Sequence, residues 1–428
     1  MQHRLCSPRR KPSLPVAAAL VALAALALAG ATRADPQPGL SFKEALDAAV
    51  ARAPVLAARR AAAEGAATAQ VSAGRLPDPR LSVGVDNLPV TGQDAFSLTD
   101  DFMTMSKVGW MQEVPNASKR QARADVASAL ADRERALLTA EVQTVKRDTA
   151  LAWLKRYFAE KRLALFASLE AENRVLQDTV NARIAAGRAL PVEATMARQE
   201  AVQLADRRDE LTRERAQAQA ALRRWVGELA DARLSGEPPQ LVADPMHLLE
   251  NLERHVELAV FDPMSRMATA EAREAQAGKR GDWGWEVSYA QRGPAFSNMV
   301  SFQLTFELPL FASKRRDPEI VAKRKEVERI AAERQEVLRK HTEEIEAELA
   351  GQAQLARQVA RLRDTALPLA EERVRLLMAS YRAGRADLGA VLVARRERAE
   401  TQLKAVELEA AIAALRARLA YLIVEHAS

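Results

Sequence analysis

The side chains with the richest chemistry in this sequence are thinly spread. His247, His255, His341 and His426 are dispersed and lack the ligand spacing of a zinc site. His247 and His255 can share one face of a helix, but the expectation is solvent-exposed rings. Met103, Met105 and Met111 fall on alternating positions, and their thioethers would suit Cu(I). Methionines alternating along a strand more simply line a barrel or a pore. There is no HExxH, no GxSxG and no phosphate-binding loop, and the one cysteine is Cys6. The sequence therefore predicts no enzyme, no cofactor and no resident metal, and a hydrolase is the least supported class. What stands out instead are two charged glycine turns, Gly187-Arg188 leading to Glu193 and Gly384-Arg385 leading to Asp387.

Those turns must be held by an exported chain. Arg4, Arg9, Arg10 and Lys11 form a basic region, followed by an apolar run from Val16 to Ala29 that is short of the roughly 20 residues needed to span a bilayer. Small residues lead to Ala34, with Thr32 two positions earlier, so residues 1–34 read as a signal peptide and 35–428 as the mature chain. Arg9-Arg10 is weakly similar to a twin-arginine signal, but an ordinary basic region is the simpler reading. The signal holds five of the basic residues and no acidic ones, which lowers the formal charge of +6 to +1 and removes any argument for a nucleic-acid partner. Cys6 lies within it, so the mature chain is expected to have no disulfide and no N-terminal cysteine to lipidate. No later stretch reaches the roughly 18 apolar residues of a membrane helix, leaving a periplasmic, secreted or β-barrel protein.

The elements around the two turns are written twice. At an offset of 197, Ala186-Gly187-Arg188-Ala189 falls on Ala383-Gly384-Arg385-Ala386, and Ala197-Arg198 on Ala394-Arg395. Upstream, Glu113-Val114-Pro115 with Ala117–Arg120 resembles Glu307-Leu308-Pro309 with Ala312–Arg315. Two motifs in one order at nearly one offset indicate a tandem duplication over about 40–235 and 245–428. Each half reads as helix, strand pair, very long helix, tight turn, helix. Ser41 and Glu44 predict a capping box, and Pro54 a kink. Residues 116–186 contain neither glycine nor proline, enough for a helix of about 100 Å. Leu138, Val142 and Val145, then Leu163, Phe166 and Leu169, keep a seam spacing, with Thr149 and Ala152 making it small in between. The second long helix is expected from about Pro318 to Ala383, kinked at Pro368. Helices this long must pack side by side as coiled coils.

The strands alternate. Val300, Phe302, Leu304, Phe306 and Leu308 share one face, with Ser301, Gln303, Thr305 and Glu307 opposite. Trp283, Trp285, Val287 and Tyr289 form the matching face of a partner strand, joined through a loop at residues 292–298. Leu81, Val83 and Val85, then Val108, Trp110, Gln112 and Val114, repeat the pattern in the first half. The runs have about the length of membrane strands, 9–11 residues, and these faces are read as lipid-facing. Four strands leave two edges whose backbone groups a bilayer cannot satisfy, so closure needs several protomers; two would give eight strands and three twelve. The alternative is two soluble hairpins packed against helices.

This duplicated plan, with Tyr381-Arg-Ala-Gly384 at one turn and Glu307-Leu-Pro-Leu-Phe311 at a strand-to-helix passage, resembles the TolC-type outer-membrane efflux factors. The resemblance implies an α+β membrane protein and a homotrimer. Each protomer would give four strands to a twelve-stranded barrel in the outer membrane and duplicated long-helix hairpins to a periplasmic tunnel. It implies a passive exit duct of a tripartite pump, working with a periplasmic adaptor (a membrane fusion protein) and an inner-membrane transporter of the RND type. A tight metal site would slow release from such a duct. Leu76-Pro77-Asp78-Pro79, Asn87-Leu88-Pro89 and Gly187–Glu193 are similar to the heavy-metal cation efflux branch. The family implies a gate at the periplasmic tip: Glu193 matches a pore-narrowing carboxylate and Tyr381 a tip tyrosine. The second half departs from the pattern, with Ala390 and Val393 where carboxylates are usual and Ala386 in place of an arginine beside Arg385. Alternatives are a drug-efflux or type I secretion duct of the same fold, or a soluble periplasmic coiled-coil adaptor.

Overall fold

The computed structural model describes residues 39–241 and 244–422, so the expected signal peptide with Cys6, and His426, lie outside the described residues. The chain opens with α1 (Phe42–Arg52) and α2 (Pro54–Gln70). The predicted capping box is present: Glu44 N donates to Ser41 Oγ at 3.2 Å and Ser41 N to Glu44 Oε2 at 2.9 Å. Pro54 does more than kink this segment. It forces Ala53 to an extended conformation and becomes the first residue of a separate helix.

After β1 (Arg80–Asp86) and β2 (Met105–Val114) comes α3 (Ala117–Ala185), 69 residues without a break, or about 100 Å at ~1.5 Å per residue. Asn116 caps it, accepting from Lys119 N at 2.9 Å. A turn leads to α4 (Pro191–Val226), which returns along it. A short 3₁₀ turn (Gly227–Asp231), α5 (Pro245–Glu250) and two single 3₁₀ turns (Leu252–Arg254 and Leu258–Val260) then lead to α6 (Phe261–Ala277). The plan repeats with β3 (Trp283–Gln291), β4 (Met299–Phe306), α7 (Ala312–Arg361), α8 (Leu367–Arg382) and α9 (Leu388–Ala420).

Two proline expectations shift. The second long helix begins at Ala312, six residues before Pro318, because a proline in the first two turns forfeits few intrahelical bonds. Near Pro368 the helix loosens into a π turn over Leu362–Ala366. That wider turn lies where the proline ring would otherwise meet the carbonyl of Asp364, four residues back.

The core follows the middle of α3. Trp153 is fully buried, edge-on to Phe42 and stacked on Tyr157, each with ring centroids 5.4 Å away, and its Nε1 donates to Leu40 O at 3.2 Å. Arg156 is also buried; its guanidinium donates to Ala230 O at 2.6 Å and Ala232 O at 2.8 Å. Val145, Thr149 and Ala152 are buried as the seam predicted, and the small residues there admit close neighbours.

The four strands form one antiparallel sheet in the order β1-β2-β3-β4. Its register brings the alternating apolar positions onto a single face: Leu81 opposite Trp110, Val83 opposite Val108, Trp110 opposite Val287, and Val287 opposite Phe302. Trp283, Trp285 and Tyr289 pair with Phe306, Leu304 and Val300 on that same face. It is uncovered, with Val83 75% and Val300 73% exposed, although Trp285 is half-buried. The opposite face is largely polar, crossed by ion pairs from Arg80 to Glu113 at 3.2 Å and from Lys107 to Glu286 at 3.3 Å. Leu308 falls outside β4: β3 begins at Trp283 opposite Phe306, so no partner strand remains, and Pro309 follows. Met103 likewise precedes β2, while Met105 and Met111 lie on the polar face, opposite Asp86 and Arg80.

Candidate functional site at the paired helical turns

Both glycine turns have the same backbone construction. Gly187 and Gly384 adopt φ of 68° and 72°, the left-handed region that a Cβ penalises. Each closes its helix with paired bonds: Gly187 N to Ile184 O and Arg188 N to Arg183 O, then Gly384 N to Tyr381 O and Arg385 N to Ser380 O, all between 2.8 and 3.0 Å. The next helices start differently. Pro191 opens α4, whereas Asp387 caps α9 by accepting from Ala390 N at 2.9 Å.

The two turns are joined by one short bond. Tyr381 Oη donates to Glu193 Oε2 at 2.5 Å, linking α8 to α4. The other oxygen of Glu193 accepts from Leu190 N at 3.1 Å, which anchors the carboxylate to the start of its own helix. Tyr381 is 2% exposed, packed among Leu176, Val180, Leu388 and Val391. Burial, together with the neighbouring Glu193, pushes its phenol up to about 12, so the hydroxyl stays a donor through neutral pH.

Arg183 completes the arrangement, and sequence reasoning missed it. Its guanidinium lies 4.4 Å from the Tyr381 ring centroid and donates to Arg382 O at 3.1 Å and Arg188 O at 3.0 Å. The available signal was a basic residue in the last turn of a helix, four positions before its glycine. The structure thus brings Glu193, Tyr381 and both turns together. Arg188 and Arg385 are exposed and form no ion pair among the described residues, and Asp387 is engaged as a cap.

A second polar level crosses the same helices farther from the turns. Arg395 on α9 is 6% exposed and lies 3.9 Å from Glu172 on α3 and 3.8 Å from Glu200 on α4. Arg398 takes Glu172 at 2.5 Å, and Asn173 bonds Glu200. The histidines depart from expectation. His247 lies on α5 and is exposed, but His255 is not on that helix; it is buried against His341. Among the described residues no group of three or more His, Cys, Asp or Glu side chains could hold a metal ion. No described helix is long and apolar enough to cross a membrane, which bears on helices alone.

No family model matches the chain, and no curated protein matches it in sequence. Solved structures do match. A membrane protein from Pseudomonas aeruginosa superposes with a TM-score of 0.76 at 18% identity, over 89% of this chain and 93% of that one. The outer membrane protein VceC from Vibrio cholerae gives 0.74 at 17% identity, over 89% and 94%. CusC, described in terms of folding and transmembrane channel formation, gives 0.75 at 16% identity, over 88% and 90%. The chain shares their fold: long helices with a small antiparallel four-stranded sheet.

Proposed function

We propose that this chain is one protomer of a trimeric outer-membrane exit duct of the TolC type, built by tandem duplication and gated at its paired helical turns. The observation that carries this reading is the sheet. One face is largely apolar and uncovered, the other is largely polar with its own ion pairs, and β1 and β4 each leave a row of backbone groups unpaired. In water such a patch would drive association, and in lipid such edges would be prohibitive. Closure with further copies answers both, with the polar face lining the lumen. The fold shared with VceC and CusC supports the same reading.

The duct is passive. Energy would come from an inner-membrane transporter, of the RND type, coupled through a periplasmic adaptor that docks at the tip. Glu193, Tyr381 and the turns at Gly187 and Gly384 form the gate, with Arg188, Arg385 and Asp387 on its rim. Heavy-metal cations are the proposed cargo, on the motifs at Leu76–Pro79 and Gly187–Glu193. A duct for drugs or secreted proteins would share the fold.

Membrane fractionation with detergent extraction, followed by mass determination of the solubilised particle, tests the proposal. A detergent-dependent trimer in the outer membrane is expected. A soluble monomer or dimer in the periplasmic fraction would overturn it in favour of a coiled-coil adaptor.

A further inference from the structure

The segment that opens the second half, ahead of α6, is docked by a pair of histidines. His255, between the two single 3₁₀ turns, is 1% exposed and stacks on His341 of α7, with ring centroids 3.8 Å apart and planes 24° from parallel. Glu257 N donates to His255 Nδ1 at 3.3 Å, which places the His255 proton on Nε2. That Nε2 is buried with no hydrogen-bond partner among the described residues. His341 is differently placed. Its Nδ1 lies 3.0 Å from Glu344 Oε2 and its Nε2 3.0 Å from Glu257 Oε2, so a doubly protonated ring satisfies both contacts and a neutral ring only one.

Other charges face this pair from each side. Arg147 on α3 adds positive potential at His255. On α7, Lys340 lies 3.7 Å from Glu344, and Arg334 reaches back to Glu253 of the docked segment at 3.3 Å. The next residue, Val256, donates its N–H to Leu422 O at 3.2 Å, so the docked segment also holds the end of the described chain.

We propose that the stacked His255–His341 pair is an acid-sensitive clasp, which docks the segment at the start of the second half onto α7 while at most one ring is charged and releases it when both are. Two imidazolium rings at stacking distance repel, and only His341 has carboxylates within reach. The buried Nε2 of His255 donates to nothing, so the clasp gains no hydrogen bond to oppose release. Burial, then His341 and Arg147, hold the His255 imidazole down at about 4 against an ordinary 6.5. A depressed imidazole contributes its stability above the ordinary value and loses it as pH falls from 6.5 toward about 4. An outer-membrane protein would meet that range directly, but the inference stands on the clasp and does not need the duct reading.

The test is amide hydrogen exchange of the full chain in detergent, with each rate normalised to its intrinsic rate at that pH. Wild-type protection over residues 252–260 is expected to fall about tenfold per pH unit between about 6.5 and 4, while α1 amides stay flat. His255→Phe keeps a stacking ring without a titrating nitrogen, and should abolish the fall. His341→Gln removes the second ring's repulsion, so His255 is held down less and the fall should be smaller and end at a higher pH. Wild-type protection that is flat, or an equal fall in His255→Phe, would overturn the clasp. Should His255→Phe fail to fold, a fall of undiminished extent in His341→Gln overturns it as well.

Discussion

Tyr381→Phe is the sharpest perturbation of the proposed gate. It deletes the 2.5 Å bond to Glu193 and leaves the ring in place, still stacked under Arg183 and enclosed by Leu176, Val180, Leu388 and Val391. A hydrogen bond to a charged group contributes about 1.5–3 kcal/mol net. Glu193 is half-buried and keeps its bond from Leu190 N, so it regains water on the freed oxygen and the lower figure applies. In the proposed trimer, with the bond made only in the closed state, three protomers together then lose about 4.5 kcal/mol from that state, roughly a thousandfold in its ratio to the open one. Single-channel recording in planar bilayers should show higher conductance or longer openings. Glu193→Ala should do the same with a greater loss, because it also removes the capping contact at Leu190. Conductance, dwell times and cation selectivity unchanged from wild type in both variants, with the trimer intact, would remove this bond from the gate.

Other substitutions probe the remaining levels. Phe302→Arg, on the apolar sheet face, is expected to destabilise the membrane-inserted state by about 2–4 kcal/mol near the bilayer midplane and to reduce outer-membrane trimer. Ser301→Arg, on the polar face, should leave trimer yield intact and change conductance; equal yields for the two would contradict the assigned faces. Trp153→Ala should cost about 3–5 kcal/mol through the cavity it leaves, seen as a lower midpoint of thermal unfolding. Pro368→Ala should let the π turn over Leu362–Ala366 relax to regular helix, read as slower amide exchange there.

Local rules were legible where they act over a few residues. Ser41 and Glu44 announced a helix start, the absence of glycine and proline over 116–186 announced a single helix, and alternation from Val300 to Phe306 announced one strand face. Prolines misled in proportion to their position. Pro318 falls early enough in α7 to be tolerated, Pro54 separates two helices, and Pro368 is absorbed by a π turn that no local pattern announces. Leu308 keeps the alternation but lies past the end of the partner strand, and strand ends are set by pairing. The site was legible in part. Glu193 and Tyr381 came from resemblance, whereas Arg183 reads as an ordinary helix-end arginine until the second turn is brought beside it. The His255–His341 stack is invisible in sequence because the two residues lie 86 positions apart and meet only where the start of the second half folds back onto α7.

The unbroken α3 gives small motions a long reach. Its firmest packing lies around Trp153, and its end at Ala185 is about 50 Å farther along at ~1.5 Å per residue. A rigid tilt of about 5° about that anchorage would carry the end sideways by about 4 Å, more than the length of the Tyr381–Glu193 bond. The helix is thus a lever whose fulcrum is aromatic, and the proposed aperture at its far end can widen without any residue leaving its helix.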